Sequence, residues 1–202
     1  MNNSPRLCST NMKKAYSVLF DVVELLDSNN IVYHLEGGTL LGLVRDNSLL
    51  PWDHDVDISI PSEELPKFLK VYKELNRKYY RVSFRKHTDD CSVFEKDTYR
   101  IFKVKKMIPS ILKEFIPYFK KKNIVLDIFV KARDEKYAYW KAMGRTMRVP
   151  KKHYDSYEEI DFDGRKLKVP NYYEDYLTEK YGDWSVPVKN WVCGENELTI
   201  CG

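Results

Sequence analysis

The 202-residue sequence contains no run of eighteen apolar residues, which is about the length that a membrane-spanning helix requires. Its first residues, MNNSPRLCSTNMKK, lack the apolar core of a secretory signal peptide. Only four cysteines are present, and none belongs to a CxxC pair, so neither a zinc site nor a compact disulfide framework is indicated. These absences predict a soluble cytoplasmic protein with reduced thiols, at most peripheral at a membrane.

The composition has room for one hydrophobic core. A hydrophobic content of 43% in 202 residues suffices for one well-packed domain, whereas two complete domains would be cramped. The sequence shows no repeat, low-complexity tract or interdomain linker. It therefore predicts a single domain over residues 1–202, with its core at about 10–184 and a tail at 185–202.

The chain is mildly basic, with a formal net charge of +4. Its lysines form two clusters: Lys103, Lys105 and Lys106, and Lys120, Lys121 and Lys122. Such clusters usually form solvated surface, and the alternative is that one of them faces an anionic substrate. This charge does not indicate a nucleic-acid partner.

One stretch, GGTLLGLVRDNSLLPWDHDVDISI from Gly37 to Ile60, combines features that phosphate chemistry needs. An apolar run, Ile31–Leu35, leads into two glycines, and the segment Thr39–Arg45 then predicts a short helix. Glycines let another group approach the backbone closely, and the unpaired N–H groups of a helix start attract anions. The first half of this stretch therefore predicts a phosphate-binding turn.

The second half of the same stretch carries alternating carboxylates. Asp53, Asp55 and Asp57 occur at every second position, which predicts a strand with all three on one face and each about 6.6 Å from the next. Like charges this close repel one another, and a hard cation removes that repulsion. Mg²⁺ or Mn²⁺ held by carboxylates and substrate phosphates is the usual arrangement where phosphoryl groups are transferred.

Two other interpretations of these residues exist. Alternating acidic residues often form the solvated face of a strand, and a glycine pair is often only a turn. The acidic spacing also resembles a calcium loop, but Ile58 stands where such a loop requires glycine, and Pro61 lies inside it.

Periodicity predicts the remaining elements. Helices are expected from a cap at Thr10 or Asn11 to Ser28, from Pro61 to Asn76, from Lys136 to Met147, and, capped by Asn171, from Tyr172 to Tyr181. Strands are expected at Tyr79–Arg85 and Tyr99–Lys105, and Asp163-Gly164 predicts a hairpin turn.

A further strand is predicted by NIVLDIFV, Asn123–Val130, whose apolar run contains a single carboxylate, Asp127. A lone aspartate in a central strand is costly unless it has a charged partner or a metal. A strand that places Asp127 beside the acidic strand would complete a metal site.

These blocks resemble the LicD family of the nucleotidyltransferase-fold superfamily, which also includes the catalytic domains of fukutin and fukutin-related protein. The resemblance is carried by the Gly37–Ile60 stretch, by LDIF at Leu126–Phe129 and by VPNYYEDYLTEKYGDW at Val169–Trp184, in the family order. It implies an α/β (α+β) fold, a nucleotidyltransferase-type mixed sheet flanked by helices.

The resemblance also implies an activity. Family members transfer phosphocholine or a polyol phosphate, such as ribitol phosphate, from a CDP-linked donor to a sugar hydroxyl of a cell-surface glycan, and CMP is released. The implied partners are therefore CDP-choline or a CDP-polyol, and a glycan acceptor that could be lipid-linked. The alternatives are a nucleotidyltransferase that moves a nucleoside monophosphate from a triphosphate, and a non-catalytic binding protein that retains the fold.

Residue roles follow from the resemblance. Gly37, Gly38 and Thr39 would bind the donor phosphates, and Asp53, Asp55, Asp57 and Asp127 would bind the Mg²⁺ or Mn²⁺ ion. Asp55, Asp57 and Asp127 would be catalytic, with Asp127 either a ligand or the general base. Where many bacterial members of the family have three successive aspartates, this chain has His54 in the middle, and its side chain should point away from the ion.

Arg45 follows the glycines by one short helix. Its guanidinium could bind a donor phosphate bidentately, or it could form a structural salt bridge with Asp46 or Asp53.

Overall fold

The computed structural model describes residues 6–7, 9–78, 80–106 and 124–201. The helices in this part of the chain are α1 (Ser9–Ser28), α2 (Gly37–Asp46), α3 (Leu65–Val71) and α4 (Tyr173–Tyr181). The strands are β1 (His34–Leu35), β2 (Asp55–Pro61), β3 (Tyr80–Lys86), β4 (Tyr99–Lys106), β5 (Val125–Arg133), β6 (Tyr137–Ala142), β7 (Arg145–Pro150), β8 (Tyr157–Phe162) and β9 (Arg165–Pro170).

The described strands form one mixed sheet and one separate hairpin. The main sheet has the order β1-β2-β5-β4-β3, and β6 and β7 extend it from β5. β2 and β5 run parallel, whereas the other neighbours are antiparallel. This arrangement confirms the predicted α/β class with a mixed sheet flanked by helices.

The hydrophobic core forms between α1 and one face of this sheet. α1 contacts β2, β4 and β5. Its predicted apolar stripe is buried throughout: Ala15, Val18, Leu19, Val22, Val23, Leu25 and Leu26. On β2 the even-numbered Val56, Ile58 and Ile60 are fully buried in the same cluster. The odd-numbered residues of β2 therefore face the other side, where the carboxylates lie.

The predicted helix Lys136–Met147 is wrong, because this segment is the hairpin β6–β7. Met143 and Gly144 form its turn with φ of 48° and 77°. Two successive residues with positive φ suit the tight turn of a β-hairpin and interrupt a right-handed helix. The aromatic residues Tyr137, Tyr139 and Trp140 that suggested a helix are residue types that strands also favour.

Other boundaries differ less. The predicted helix Pro61–Asn76 is divided into 3₁₀ turns on either side of α3. The predicted strand Ile31–Leu35 is paired only at its last two residues. The hairpin at Asp163-Gly164 is confirmed as β8–β9.

The predicted helix caps are also corrected. α1 begins at Ser9, so Thr10 and Asn11 lie in its first turn. α4 is preceded by Tyr172 with φ of 53° in place of the predicted cap Asn171.

The lysine cluster Lys120–Lys122 and one of the four cysteines, Cys8, lie outside the described residues. Within the described chain, Cys91, Cys193 and Cys201 are free thiols. No helix in the described ranges is both long enough and apolar enough to cross a membrane.

Candidate functional site

Three carboxylates from two neighbouring parallel strands meet on the face of the sheet opposite α1. The register of β2 and β5 places Asp57 beside Asp127, and Asp55 precedes Asp57 by two residues on the same face. One oxygen from each of Asp55, Asp57 and Asp127 lies within 4.8 Å of the others. We call these three residues the acidic triad, and its all-oxygen donor set suits Mg²⁺ or Mn²⁺.

Asp53 does not lie on the strand that the alternation predicted. β2 begins at Asp55, so Asp53 belongs to the preceding turn, where its Oδ1 accepts a hydrogen bond of 2.8 Å from the His54 N–H. Its backbone carbonyl accepts a hydrogen bond of 2.8 Å from the Leu7 N–H. Asp53 is therefore outside the acidic triad and approaches it from the loop.

The two glycines leave room for these carboxylates. Gly37 has φ of +53°, and a Cβ built on it would lie 3.0 Å from Asp57 Oδ2. A Cβ on Gly38 would lie 2.1 Å from Asp53 Oδ2. The glycine pair thus accommodates the close approach of Asp53 and Asp57 to the start of α2, a reason that spacing in the sequence did not reveal.

The start of α2 is fixed to β2 by two further hydrogen bonds. The Asp57 N–H donates to Thr39 Oγ1 at 2.9 Å, and the Glu36 N–H donates to the Asp57 carbonyl at 3.0 Å. The first intrahelical bond runs from the Leu40 N–H to the Glu36 carbonyl at 3.0 Å. The N–H groups of residues 37–39 consequently have no intrahelical acceptor and lie next to the acidic triad.

We expect Gly38→Ala to lower the transfer activity that the resemblance implies about 100-fold while leaving the fold intact, because the added methyl displaces only the end of the Asp53 side chain. Gly42→Ala provides the contrast: its Cβ would lie 2.5 Å from the backbone oxygen of Ser48, which costs about 1–3 kcal/mol of stability. Activity and thermal unfolding should be measured on both variants. Wild-type activity in Gly38→Ala would show that the position of Asp53 is irrelevant.

Burial and mutual repulsion raise the carboxyl pKa values at this site. Burial, followed by the charges of Asp53 and Asp127, raises the pKa of Asp55 to about 7. Burial, followed by the charges of Asp55 and Asp127, raises the pKa of Asp57 well above its usual range. Burial raises the pKa of Asp127 too, and Lys103 opposes that shift. A bound divalent cation would relieve this repulsion.

This repulsion predicts how stability without metal depends on pH. A raised carboxyl pKa gives stability that is present below the unfolded value, about 4, and is lost as pH rises through the folded value, about 7 for Asp55. We therefore expect the unfolding temperature in EDTA to fall between pH 5.5 and 8, and Mn²⁺ to restore it at pH 8. Asp55→Asn should flatten this slope, and an unchanged slope would contradict the assignment.

Lys103 of β4 contacts the acidic triad, and the sequence did not predict this contact. The register places Lys103 beside Asp127, and its ammonium forms an ion pair with Asp127 Oδ2. Asp127 Oδ1 is buried without a hydrogen-bond partner in the described part of the chain. A buried carboxylate oxygen without a partner, on a residue that belongs to a cluster of carboxylates, fits a metal ligand. The only sequence feature that indicated the position of Lys103 is the alternation of apolar and basic residues along β4.

The Arg45 side chain, in the last turn of α2, is bound by Asp46 and by the backbone of Trp184. Its guanidinium binds Asp46 bidentately at 2.8 and 2.9 Å, and its Nη1 donates to the Trp184 carbonyl at 3.3 Å. The structure therefore matches the salt-bridge alternative with Asp46. Arg45 connects α2 to the YGDW segment, Tyr181–Trp184.

Behind the acidic triad lies a buried polar network centred on Glu36, which sequence reasoning missed. The Glu36 carboxylate is ion-paired to Lys131 at 2.8 Å. It also accepts hydrogen bonds from Ser59 at 2.7 Å, Tyr154 at 2.6 Å and Tyr176 at 2.5 Å. Because Glu36 directly precedes the glycine turn, this network fixes the backbone from which α2 begins.

Comparisons with known proteins give matches over parts of the chain. A lipopolysaccharide cholinephosphotransferase, LicD, from Haemophilus influenzae is 33% identical over 58 residues, 29% of this chain and 22% of that protein. The human ribitol 5-phosphate transferase FKRP is 46% identical over 44 residues, 22% of this chain and 9% of that protein. An uncharacterized Rickettsia typhi protein is 39% identical over 71 residues, 35% of this chain. The match spans only 23% of the length of this Rickettsia protein.

Solved structures show weaker likenesses. The lincosamide antibiotic adenylyltransferase LnuA, with lincomycin bound, is 15% identical with a TM-score of 0.47, over 80% of this chain and 83% of that one. At a TM-score below 0.5 this likeness bears on neither fold nor chemistry.

A family model described as "LicD/FKTN/FKRP, nucleotidyltransferase domain" matches residues 30–172. The matched range is most of the chain and contains the glycine turn, Asp53 and the acidic triad, whereas YGDW lies beyond it. The predicted resemblance is thereby confirmed, and the chain belongs to the LicD/FKTN/FKRP family.

Proposed function

We propose that this chain is a metal-dependent phosphotransferase. It moves phosphocholine or a polyol phosphate, such as ribitol phosphate, from a CDP-linked donor to a sugar hydroxyl of a cell-surface glycan and releases CMP. The observation that carries the proposal is the acidic triad, in which one oxygen from each carboxylate lies within 4.8 Å of the others, next to the glycine-lined start of α2. The names of its relatives, a cholinephosphotransferase and a ribitol 5-phosphate transferase, support the transferred groups.

The residues present fit a divalent cation. Asp55 and Asp57 would hold it from β2, and the unpartnered Oδ1 of Asp127 would either complete the ligand set from β5 or take the proton of the attacking hydroxyl. Asp53 would reach the same ion from its loop. A bound Mg²⁺ or Mn²⁺ supplies charge neutralisation for the donor phosphate oxygens.

The protein groups around the triad have roles of their own. The N–H groups of Gly37, Gly38 and Thr39 point out of the helix start and bind donor phosphate oxygens, which the helix dipole favours. Thr39 also positions Asp57 through the hydrogen bond of 2.9 Å to its backbone. With the donor fixed in this way, catalysis depends mainly on positioning and electrostatics, as phosphoryl transfer does in general.

The proposed transfer forms one phosphorus–oxygen bond and breaks another. The acceptor hydroxyl oxygen bonds to the phosphorus that carries the head group, and the bond from that phosphorus to the oxygen bridging to CMP breaks. CMP leaves with the bridging oxygen, and the hydroxyl proton passes to Asp127 or to solvent.

The test is a phosphorus NMR assay with Mg²⁺ or Mn²⁺. CDP-choline, CDP-ribitol, CDP-glycerol and the four nucleoside triphosphates are offered separately, and both transfer and slow hydrolysis are followed. We expect CMP from one CDP-linked donor, which identifies the head group. Pyrophosphate from a triphosphate would instead indicate a nucleotidyltransferase, and the same set with EDTA tests metal dependence.

A further inference from the structure

The face of the sheet that carries the acidic triad continues into a basic surface. Strand register defines two rows of side chains on this face. One row runs Asp57, Asp127, Lys103 and Ser83, and the next runs Asp55, Val125, Lys105 and Arg81. Arg85 stands two residues beyond Ser83 on the same face of β3. We call Arg81, Arg85, Lys103 and Lys105 the basic strip.

The basic strip is electrostatically unbalanced in the described structure. Arg81 and Lys105 are directly opposite each other, and like charges at such positions destabilise a sheet. Within the described ranges, Arg81, Arg85 and Lys105 form no ion pair or hydrogen bond through their side chains. All three are exposed, and Lys103 is paired with Asp127. An anion bound across β3 and β4 would offset this repulsion.

The position of the basic strip distinguishes it from the donor site. The glycine turn lies beside β2, next to β1, whereas the basic strip lies across β5 on β4 and β3. Because neighbouring strands are about 4.8 Å apart, β4 is about 10 Å and β3 about 14 Å from the acidic strand. A donor diphosphate held at the start of α2 therefore leaves the basic strip on the opposite side of the triad.

We propose that the basic strip binds an acidic group of the acceptor, so that the glycan modified by this protein carries a phosphate or carboxylate near its reacting hydroxyl. This inference rests on the proposed function, because it assigns the other side of the same site. Charge complementarity selects an anionic acceptor over a neutral one, and the small, exposed Ser83 stands opposite Lys103 in the register.

The double variant Arg81→Gln/Lys105→Gln tests this inference, with Lys136→Gln/Arg145→Gln as the control. The control removes the same two charges from exposed positions in and before the β6–β7 hairpin. CMP release from CDP-choline with Mn²⁺ is measured against increasing methyl hexoside, hexose 6-phosphate and hexuronate.

For the wild type we expect a KM for one of the two anionic sugars at least about tenfold below that for methyl hexoside, rising with salt. The double variant should lose this preference and keep its KM for CDP-choline and its slow hydrolysis of the donor, and the control should match the wild type. Which anionic sugar is preferred tells phosphate from carboxylate. Equal KM values for charged and neutral sugars, or a defect in the donor KM instead, would overturn the inference.

Failure of the proposed function is recognised separately. If no CDP-linked donor yields CMP, saturation-transfer NMR in EDTA still measures directly whether hexose 6-phosphate or hexuronate binds to the basic strip. Binding that the double variant loses and the control retains supports the strip as an anion site, and absence of binding to the wild type refutes it.

Discussion

Asp57→Asn should reduce transfer at least about a thousandfold while stabilising the metal-free protein. Asp57 lies at the centre of the site, beside Asp127 in the register and within reach of Asp55. If Asp57 is a metal ligand, as proposed, its loss removes several kcal/mol of stabilisation from the transition state, and each 1.4 kcal/mol is about tenfold in rate. CMP release at saturating Mn²⁺ measures the effect.

The stability readout separates this result from simple unfolding. Burial and the neighbouring Asp55 charge raise the pKa of Asp57 well above its usual range, so an uncharged Asn relieves repulsion in the metal-free state. In EDTA at pH 8 we expect the unfolding temperature to rise by a few degrees, and the increase on adding Mn²⁺ to shrink. Asp161→Asn, at an exposed position of β8, should change neither quantity. Wild-type activity in Asp57→Asn would disprove the metal assignment.

Local sequence patterns predicted most of the site because its parts are short-range. A strand–glycine–helix–strand stretch brings Gly37, Gly38 and Asp57 together within 21 positions, and period-two alternation alone indicates which side chains share a face. The lone carboxylate in an apolar strand identified Asp127 for a similar reason, since its burial needs compensation. These signals depend on residue type and spacing, and both are readable without a structure.

The parts that were missed depend on contacts between distant segments. Lys103 reaches Asp127 only because β4 pairs with β5, and the alternating basic residues of β4 suit a solvated strand equally well. Glu36 meets Tyr154 and Tyr176, which follow it by 118 and 140 positions. The sequence predicted a helix in place of the β6–β7 hairpin for two reasons. Methionine rarely adopts a positive φ, so Met143 gave no sign of a turn, and Gly144 alone is weak evidence of one.

The sequence explained only part of why glycines occupy positions 37 and 38. The sequence suggested that Gly37 and Gly38 admit a phosphate, and that role remains a proposal. The structure adds that both positions admit carboxylates, because a side chain at either would meet Asp57 or Asp53. Close approach of backbone and acid thus constrains this turn even before any substrate binds.

We expect the stability of the fold to depend strongly on the buried ion pair between Lys131 and Glu36. Side-chain exposure is 1% for Lys131 and 5% for Glu36, and the ammonium also lies 3.8 Å from the Trp140 ring and 4.1 Å from the Tyr154 ring. Burial lowers the pKa of Lys131 to about 8 even though Glu36 opposes the shift. Removing one member leaves a buried charge without its counter-ion, which typically costs about 3–5 kcal/mol.

We therefore expect Lys131→Met to lose about 3–5 kcal/mol of unfolding free energy in chemical denaturation, roughly 10 °C in unfolding temperature. The double variant Glu36→Gln/Lys131→Met should recover much of this loss, because it removes the isolated charge. The glutamine oxygen can accept from one of the two tyrosine hydroxyls, and its NH2 can donate to the oxygen of the other. Lys166→Met breaks the exposed pair with Asp161 and should cost less than about 1 kcal/mol. A cost that small for Lys131→Met would mean that Tyr154, Tyr176 and Ser59 alone compensate the Glu36 charge. The start of α2 would then be held by hydrogen bonds and not by the ion pair.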